Sequence, residues 1–534
     1  MEIKPFGSLR CNGWAISSTI IVSMIVLLGL NVILHLLDAS SQTWVHIRDV
    51  LLWEYVVTST QLALGVLILS TVVAVSLAWF VTVYDFPGRR LLSVGLVLPL
   101  AIPPFIGATT YVGFLGYTGM VQSGLRGLGV QVPPGALDIM SLKGAVVLFS
   151  VFLYPYTYMI VRSFLAGQSS QFIEAGRTLG RSPGGVFLFV VLPLARNAVV
   201  AGGTLVVLEV LSDYGVVSFF GLPVFGTAIF KAWISFSDVQ AALRLSAILL
   251  VVVLLITWSE RALRDPRRSV AASTRPRPIQ TIRARGWTKV GIMLFTYGVF
   301  AIGVLVPLGQ MIVWAVASRH AIRYHDLEAI TFNSMALGLS CSAIILVFAL
   351  IVANYRRHFP NRLSSVCSRL AVTGYSIPGA VIAVTVLLFF VEADRLLSTG
   401  LSRTLIMVIT GYSIRYMAVA FQAVESGFEG IGTRFTETAR TLGHGRLASL
   451  LQIDIPMMKD ALVTAYILTF VDIVKELPLV LLLRPFNFST LATKVFEYAH
   501  DEMLPESSMA SLMIVGLSAL PMVFLHIMKK RSPR

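Results

Sequence analysis

Two pairs of acidic residues stand in stretches that are otherwise apolar: Glu209 and Asp213 in EVLSD, and Asp472 and Glu476 in DIVKE. Each pair is spaced i, i+4, which on a helix puts both carboxylates on one face. Charges inside a membrane helix are costly and usually face water, a partner or a pathway. Four such groups facing one seam would suit a hard cation, which prefers carboxylate to thiolate. The plainer reading makes them interfacial carboxylates, neutralised by neighbours such as Lys475. Other reactive groups are sparse. Cys11, Cys341 and Cys367 are far apart and lack ligand spacing. The histidines form no metal signature, although His320 and His325 share a loop. No Gly-Lys dipeptide is present to begin a phosphate-wrapping P-loop, and no Ser/His/Asp set suggests hydrolysis. No catalytic residue or metal ligand is assigned, and the chain by itself does not read as an enzyme.

The elements that must carry the carboxylates are membrane spans. The 534 residues are 56% hydrophobic and only 13% charged, with a mean hydropathy of +0.81. A hydrocarbon core of roughly 30 Å needs about 20 apolar residues in a helix. Twelve such runs are found, near 14–37, 57–81, 91–115, 141–163, 194–218, 239–258, 289–316, 331–355, 366–392, 404–424, 460–483 and 507–528. The first follows a short basic start but is too long for a signal-peptide core, so it reads as a retained helix. At about 1.5 Å per residue from Arg196, Glu209 stands roughly 20 Å and Asp213 roughly 25 Å along the fifth span, in its outer half. The net charge of +15 would fit nucleic acid, but its distribution does not. With an inner N-terminus, most Lys and Arg residues fall in cytoplasmic segments. The charge is topology, with both termini cytoplasmic, membrane lipid as the solvent and no nucleic acid as partner.

The chain repeats itself. A segment rich in Arg, Pro and Ser, residues 259–288, reads as a basic cytoplasmic linker. It separates residues 1–258 from 289–534, six spans on each side. Glu174–Asp238 aligns with Glu437–Asp501 without a gap at an offset of 263, with 15 identities in 65 positions. That is well above what unrelated apolar segments share, and several identities are not apolar. Arg177, Thr178, Leu179 and Gly180 match Arg440, Thr441, Leu442 and Gly443. Pro193 matches Pro456, and Phe225, Thr227, Lys231 and Asp238 match Phe488, Thr490, Lys494 and Asp501. AIPP at Ala101 and SIPG at Ser376 each put proline within the third span of a half. An even number of spans per half makes the repeat parallel, with a pseudo-twofold axis along the membrane normal and a natural pathway at the seam.

The most polar part of the repeat falls between the fourth and fifth spans of each half. Phe172, Ala175 and Leu179 share one helical face, with Glu174, Arg177 and Thr178 around it. Gly180 and Gly443 stand where a short helix must end, and Pro193 and Pro456 mark the next boundary. Helix, turn, helix and entry into a span is the shape implied.

Glu174, Ala175, Gly176, Gly180, Val190, Leu192 and Pro193 form a spaced pattern, repeated by Glu437, Thr438, Ala439, Gly443, Ile453, Ile455 and Pro456. It resembles the EAA loop of permease subunits of binding-protein-dependent ABC importers. Thr438 and Ile455 are small departures. The resemblance implies an all-α, polytopic fold of about 12 transmembrane helices in two six-helix type I importer repeats. It also implies residence in the bacterial inner membrane. The loops near 174–193 and 437–456, Arg177 and Arg440 included, are then coupling helices for two copies of a cytoplasmic ATPase. ATP is used by that partner, and no cofactor is bound by this chain. A periplasmic binding protein delivers the substrate. The stretches from Val474 and from Ser212 are similar to fused permeases of ferric iron importers, which implies ferric iron as substrate. Leu222–Thr227 and Arg484–Thr490 would then receive the delivery protein, with Lys231 and Lys494 close by. Related permeases carry thiamine, polyamines or other small solutes. A proton-coupled secondary transporter using the four carboxylates is the reading from a different class.

Overall fold

Long runs of Leu, Ile, Val and Ala build helices until proline or a cluster of polar groups interrupts them. The computed structural model describes residues 13–36, 41–130, 132–133, 135–167, 174, 176, 178–264, 281–320 and 324–531. Cys11, Phe172, Ala175, Arg177 and most of the basic linker lie outside the described residues. Six helices are long and apolar enough to cross a membrane: Gln42–Val83, Leu142–Gly167, Val239–Leu263, Gly286–Ala317, His325–His358 and Ser508–Leu525.

Three further pairs would cross only as broken spans. Arg89–Ala101 with Pro104–Gly127 bends by 93°, Arg362–Ser376 with Gly379–Leu397 by 113°, and Pro183–Leu194 with Arg196–Ser212 by 73°. The prolines of AIPP and SIPG sit at the first two breaks, where the missing amide and the ring clash end one helix and start another. Among the described residues these six helices and three bent pairs fall at nine of the twelve expected spans, and Gly13–Leu36 stands at the first. Ile406–Ile431 is diluted by Arg415 and its polar neighbours. The eleventh expected span splits into Lys459–Val474 and Pro478–Leu483.

A break inside a membrane needs partners for the backbone groups it frees. At the first bend, Tyr154 Oη donates to the Leu96 carbonyl at 3.0 Å. Tyr158 Oη and Arg162 Nη1 both donate to the Ser93 carbonyl, at 3.3 and 2.7 Å.

Two compact units emerge, and they are not cut at the linker. One comprises residues 40–327 and 491–519, the other 1–39, 328–490 and 520–534. In the first unit Leu52–Val83 packs along Leu142–Gly167, and Arg196–Ser212 packs on both. Glycines set that distance: a Cβ at Gly202 would lie 2.6 Å from Thr157 Cα, and one at Gly203 2.7 Å from Leu67. Gly286–Ala317, the opening helix of the second sequence half, joins this unit. Its Phe300 and Trp314 fill the space that a Cβ at Gly95 and Gly113 would take, and Tyr297 Oη donates to the Pro87 carbonyl at 3.1 Å. In the second unit Ile406–Ile431 packs against Lys459–Val474, Arg362–Thr373 and Gly379–Leu397. Gly13–Leu36, the opening helix of the first half, packs on the latter two and puts Val22 and Ile25 into their core. The two halves exchange their first helices.

The far end of the basic linker forms a short strand. Ile282 and Arg283 pair in parallel with Tyr84 and Asp85, and the Ala284 amide donates to the Asp85 carbonyl at 3.2 Å.

Candidate functional site

Where both copies are described, the repeated loops take the same local conformation. Glu174, Gly176 and Thr178 are helical, as is Arg434–Thr441 in the second copy. Gly180 has φ +78° and Gly443 φ +87°, the left-handed region that suits glycine because it lacks a Cβ. The Arg181 amide donates to the Gly176 carbonyl at 3.2 Å, and the His444 amide to the Ala439 carbonyl at 3.0 Å. These are the six-to-one bonds of a Schellman ending, and Gly443 N to Arg440 O at 3.1 Å supplies its inner partner.

Beyond the turn a short helix begins at Pro183 or Arg446 and widens into a π turn, over Phe187–Val191 or Leu450–Asp454. Proline follows in the first turn of Leu192–Leu194 or Ile455–Met457. The amide that Pro193 or Pro456 lacks is one the widened turn need not satisfy. The chain then enters Arg196–Ser212 or Lys459–Val474.

Burial explains the three opening letters of each pattern. Glu174 and Glu437 are exposed, while Gly176 and Ala439 are buried. A Cβ at Gly176 would lie 3.2 Å from Val186 and 3.6 Å from Val190, so the third position must be small. Thr438 is exposed and its hydroxyl donates to the Arg434 carbonyl at 2.9 Å, so threonine there disturbs no packing. Leu179 and Leu442, one residue before the glycines, are 82% and 75% exposed. Each loop presents an uncovered leucine at its tip, at the same place in the repeat.

The carboxylates behave differently from the i, i+4 expectation. Only Glu209 and Asp472 lie on the helices; Asp213 is one residue past Ser212, and Glu476 two past Val474. The helix stops because these second carboxylates start another. Asp213 Oδ1 accepts from the Val216 amide at 2.9 Å, ahead of Gly215–Phe219. Glu476 accepts from the Leu479 amide at 3.0 and 3.1 Å and from Val480 at 3.3 Å, in the first turn of Pro478–Leu483. Val216 and Leu479 are themselves related by the offset of 263, so the carboxylate and its amide repeat together. Asp472 pairs with Lys475 at 2.8 Å, the neighbour expected to neutralise it. Glu476 is buried, and so is Arg415. A Cβ at Gly379 would meet Arg415 Nη1 at 2.9 Å and Glu476 Oε1 at 3.3 Å, so the bare glycine leaves room for both. Among the described residues no group of three or more His, Cys, Asp and Glu side chains is placed to hold a metal ion.

The turns at Leu222–Thr227 and Arg484–Thr490 are knotted locally. Thr227 Oγ1 donates to the Leu222 carbonyl at 2.7 Å and accepts from the Val224 amide at 3.1 Å. Arg484 Nη1 donates to Ser489 Oγ at 3.0 Å beneath a turn carrying Phe486, which is fully exposed. Lys494 pairs with Glu497 at 3.3 Å.

Residues 70–268 and 345–532 each match the family described as binding-protein-dependent transport system inner membrane component. The chain belongs to this family. It is a multi-pass, inner-membrane permease component of an ABC importer, carrying the permease domain twice. Over 470 residues it is 24% identical to the Fe(3+)-transport system permease protein FbpB 2 of Haemophilus influenzae, covering 85% of this chain and 87% of that one. Shorter relatives match part of the chain. The sulfate transport system permease protein CysT of Salmonella typhimurium is 26% identical over 259 residues, which is 47% of this chain and 90% of its own. The molybdenum transport system permease protein ModB of Escherichia coli is 29% identical over 163 residues, 30% of this chain and 69% of its own.

One part of the permease escaped sequence reasoning. Arg357 Nη1 lies 3.0 Å from Asp454 Oδ1, beneath the second loop. Asp454 sits within the proline-ending pattern, and an acid between Ile453 and Ile455 was the available signal, though it does not name its partner.

Proposed function

We propose that the two repeated loops are coupling helices for two copies of a separate ATP-hydrolysing subunit, and that the substrate is ferric iron. One observation carries the coupling reading: the same exposed leucine, left-handed glycine and proline-led entry turn occur twice, each feeding a span. A soluble partner that closes on nucleotide can push such a tip, and the rigid turn passes the displacement into the helix behind it. The loops then face the cytoplasm, and both termini lie on that side. A binding protein on the opposite side docks over the turns at Leu222–Thr227 and Arg484–Thr490, where Phe486 offers an apolar contact. Iron is favoured because a relative matched along most of both chains is an Fe(3+) permease. Glu209, Asp213, Asp472 and Glu476 are the pathway candidates, with Glu209 and Asp472 the stronger because the other two cap helices.

The test is reconstitution of the permease with its ATPase and binding protein, with uptake of ferric iron, molybdate and sulfate measured side by side. Iron uptake that needs ATP is expected. Replacing Leu179 and Leu442 together by serine should abolish capture of the ATPase while the permease stays folded. Substrate movement by the purified permease alone, down a pH gradient, would overturn the reading.

A further inference from the structure

The second loop is fixed to its own unit by a buried ionic knot whose residues the first loop does not share. Asp454 is fully buried in the π turn that leads to Pro456. Its Oδ1 lies 3.0 Å from Arg357 Nη1 as an ion pair and accepts from the Thr436 hydroxyl at 3.0 Å. Arg357, in the last turn of Tyr324–His358, also donates to Thr436 Oγ1 at 3.0 Å and to the Gly432 carbonyl. Its guanidinium lies over the Phe428 ring, 4.7 Å from the centroid. One cation therefore ties together the end of a long span, the end of Ile406–Ile431, the loop helix and the entry turn. Thr436 directly precedes Glu437, the first residue of the repeated pattern.

At the offset of 263, Thr436 and Asp454 correspond to Ile173 and Val191. Val191 is buried in an apolar cluster with Val186 and Trp79, and the Trp79 ring lies 5.2 Å from that of Phe187. The two loops are seated by different chemistry, apolar packing in one and a charge pair in the other.

We propose that Arg357 and Asp454 are positioning residues that make the second loop rigid enough to transmit force, a task that packing performs in the first. This rests on the coupling reading above. Removing one partner of a buried pair leaves the other charge unpaired, whereas replacing both by apolar groups is tolerated. Asp454→Asn should loosen the loop, and Arg357→Leu with Asp454→Val should restore it by copying the apolar seat.

The experiment has two readouts on the full chain in lipid nanodiscs: hydrogen exchange of the amides of residues 434–444, and substrate transported per ATP once the ATPase is added. For Asp454→Asn we expect faster exchange there and a fall in transport per ATP of roughly five-fold. The double variant should recover both, and Val191→Ala should leave exchange at 434–444 unchanged. If Asp454→Asn does not assemble, Arg357→Lys, which keeps the charge but loses the fork, gives the same two readouts. Unchanged exchange overturns the clamp. Faster exchange with undiminished transport per ATP overturns its role in transmission. Leu179→Ser combined with Leu442→Ser separates the underlying reading: if that double variant still captures and couples to the ATPase, the coupling assignment fails independently of the clamp.

Discussion

Gly176 and Gly379 show how much a single hydrogen in place of a side chain decides. Position 176 sits against Val186, and its repeat partner is Ala439, buried in the same place. Gly176→Ala should therefore be tolerated, because valine methyls can give by a few tenths of an ångström. Gly176→Leu should unseat the first loop and lower ATPase capture, measurable by pull-down from membranes. Gly379 is less forgiving. Its Cβ would intrude on Arg415 and Glu476 together, so Gly379→Ala should cost about 1–3 kcal/mol, within the usual range for overpacking a core. Thermal unfolding of the purified permease would show this, with Gly516→Ala, which meets nothing within 4 Å, as the neutral control. The left-handed glycines were legible in the sequence because a helix ending is a local event. The partnership of Arg357 with Asp454 was not, because the residues are distant in the chain and the repeat offers no second example.

Helices broken at a fixed point need something to restart them, and here the restart is acidic. Asp213 and Glu476 each accept amides in the first turn of the short helix that follows. Asparagine caps nearly as well as aspartate, whereas alanine typically costs about 1 kcal/mol. Asp213→Asn should then keep stability close to wild type, and Asp213→Ala should lower it. Transport separates cap from pathway: full uptake by Asp213→Asn assigns the residue to structure, and uptake lost without loss of stability assigns it to the route. The sequence showed the spacing of the four carboxylates but not that the helix stops between the members of each pair. Spacing speaks of a face only while the helix continues. The prolines of AIPP and SIPG were visible too. That they mark bends of 93° and 113°, rather than kinks in straight spans, depends on partners for the freed backbone; at the first bend Tyr154, Tyr158 and Arg162 arrive from another helix to donate to its carbonyls.

Across the whole molecule, the repeat and the compact units divide the chain differently. The permease domains repeat along the sequence, yet residues 13–36 pack with the second repeat and 286–317 with the first. Either half expressed alone would lack one wall of its own core and display another meant for its sister. Separate expression of 1–264 and 281–534 should yield aggregated protein, while co-expression should give a stable complex, checked by size-exclusion chromatography in detergent. The exchange was invisible to sequence reading because both first helices are uniformly apolar, and an apolar helix does not announce its neighbour.

The short parallel pairing of Tyr84–Asp85 with Ile282–Arg283 changes what the basic segment is for. Val239–Leu263 before it and Gly286–Ala317 after it belong to the same unit, so the segment leaves and returns to one body. It joins two helices of one unit rather than linking the two units. The chain passes from one body to the other elsewhere, at 39–40, 327–328, 490–491 and 519–520. A protease nick among the arginines should leave transport intact, while stiffening or lengthening the 490–491 passage, next to Thr490, should be felt at once.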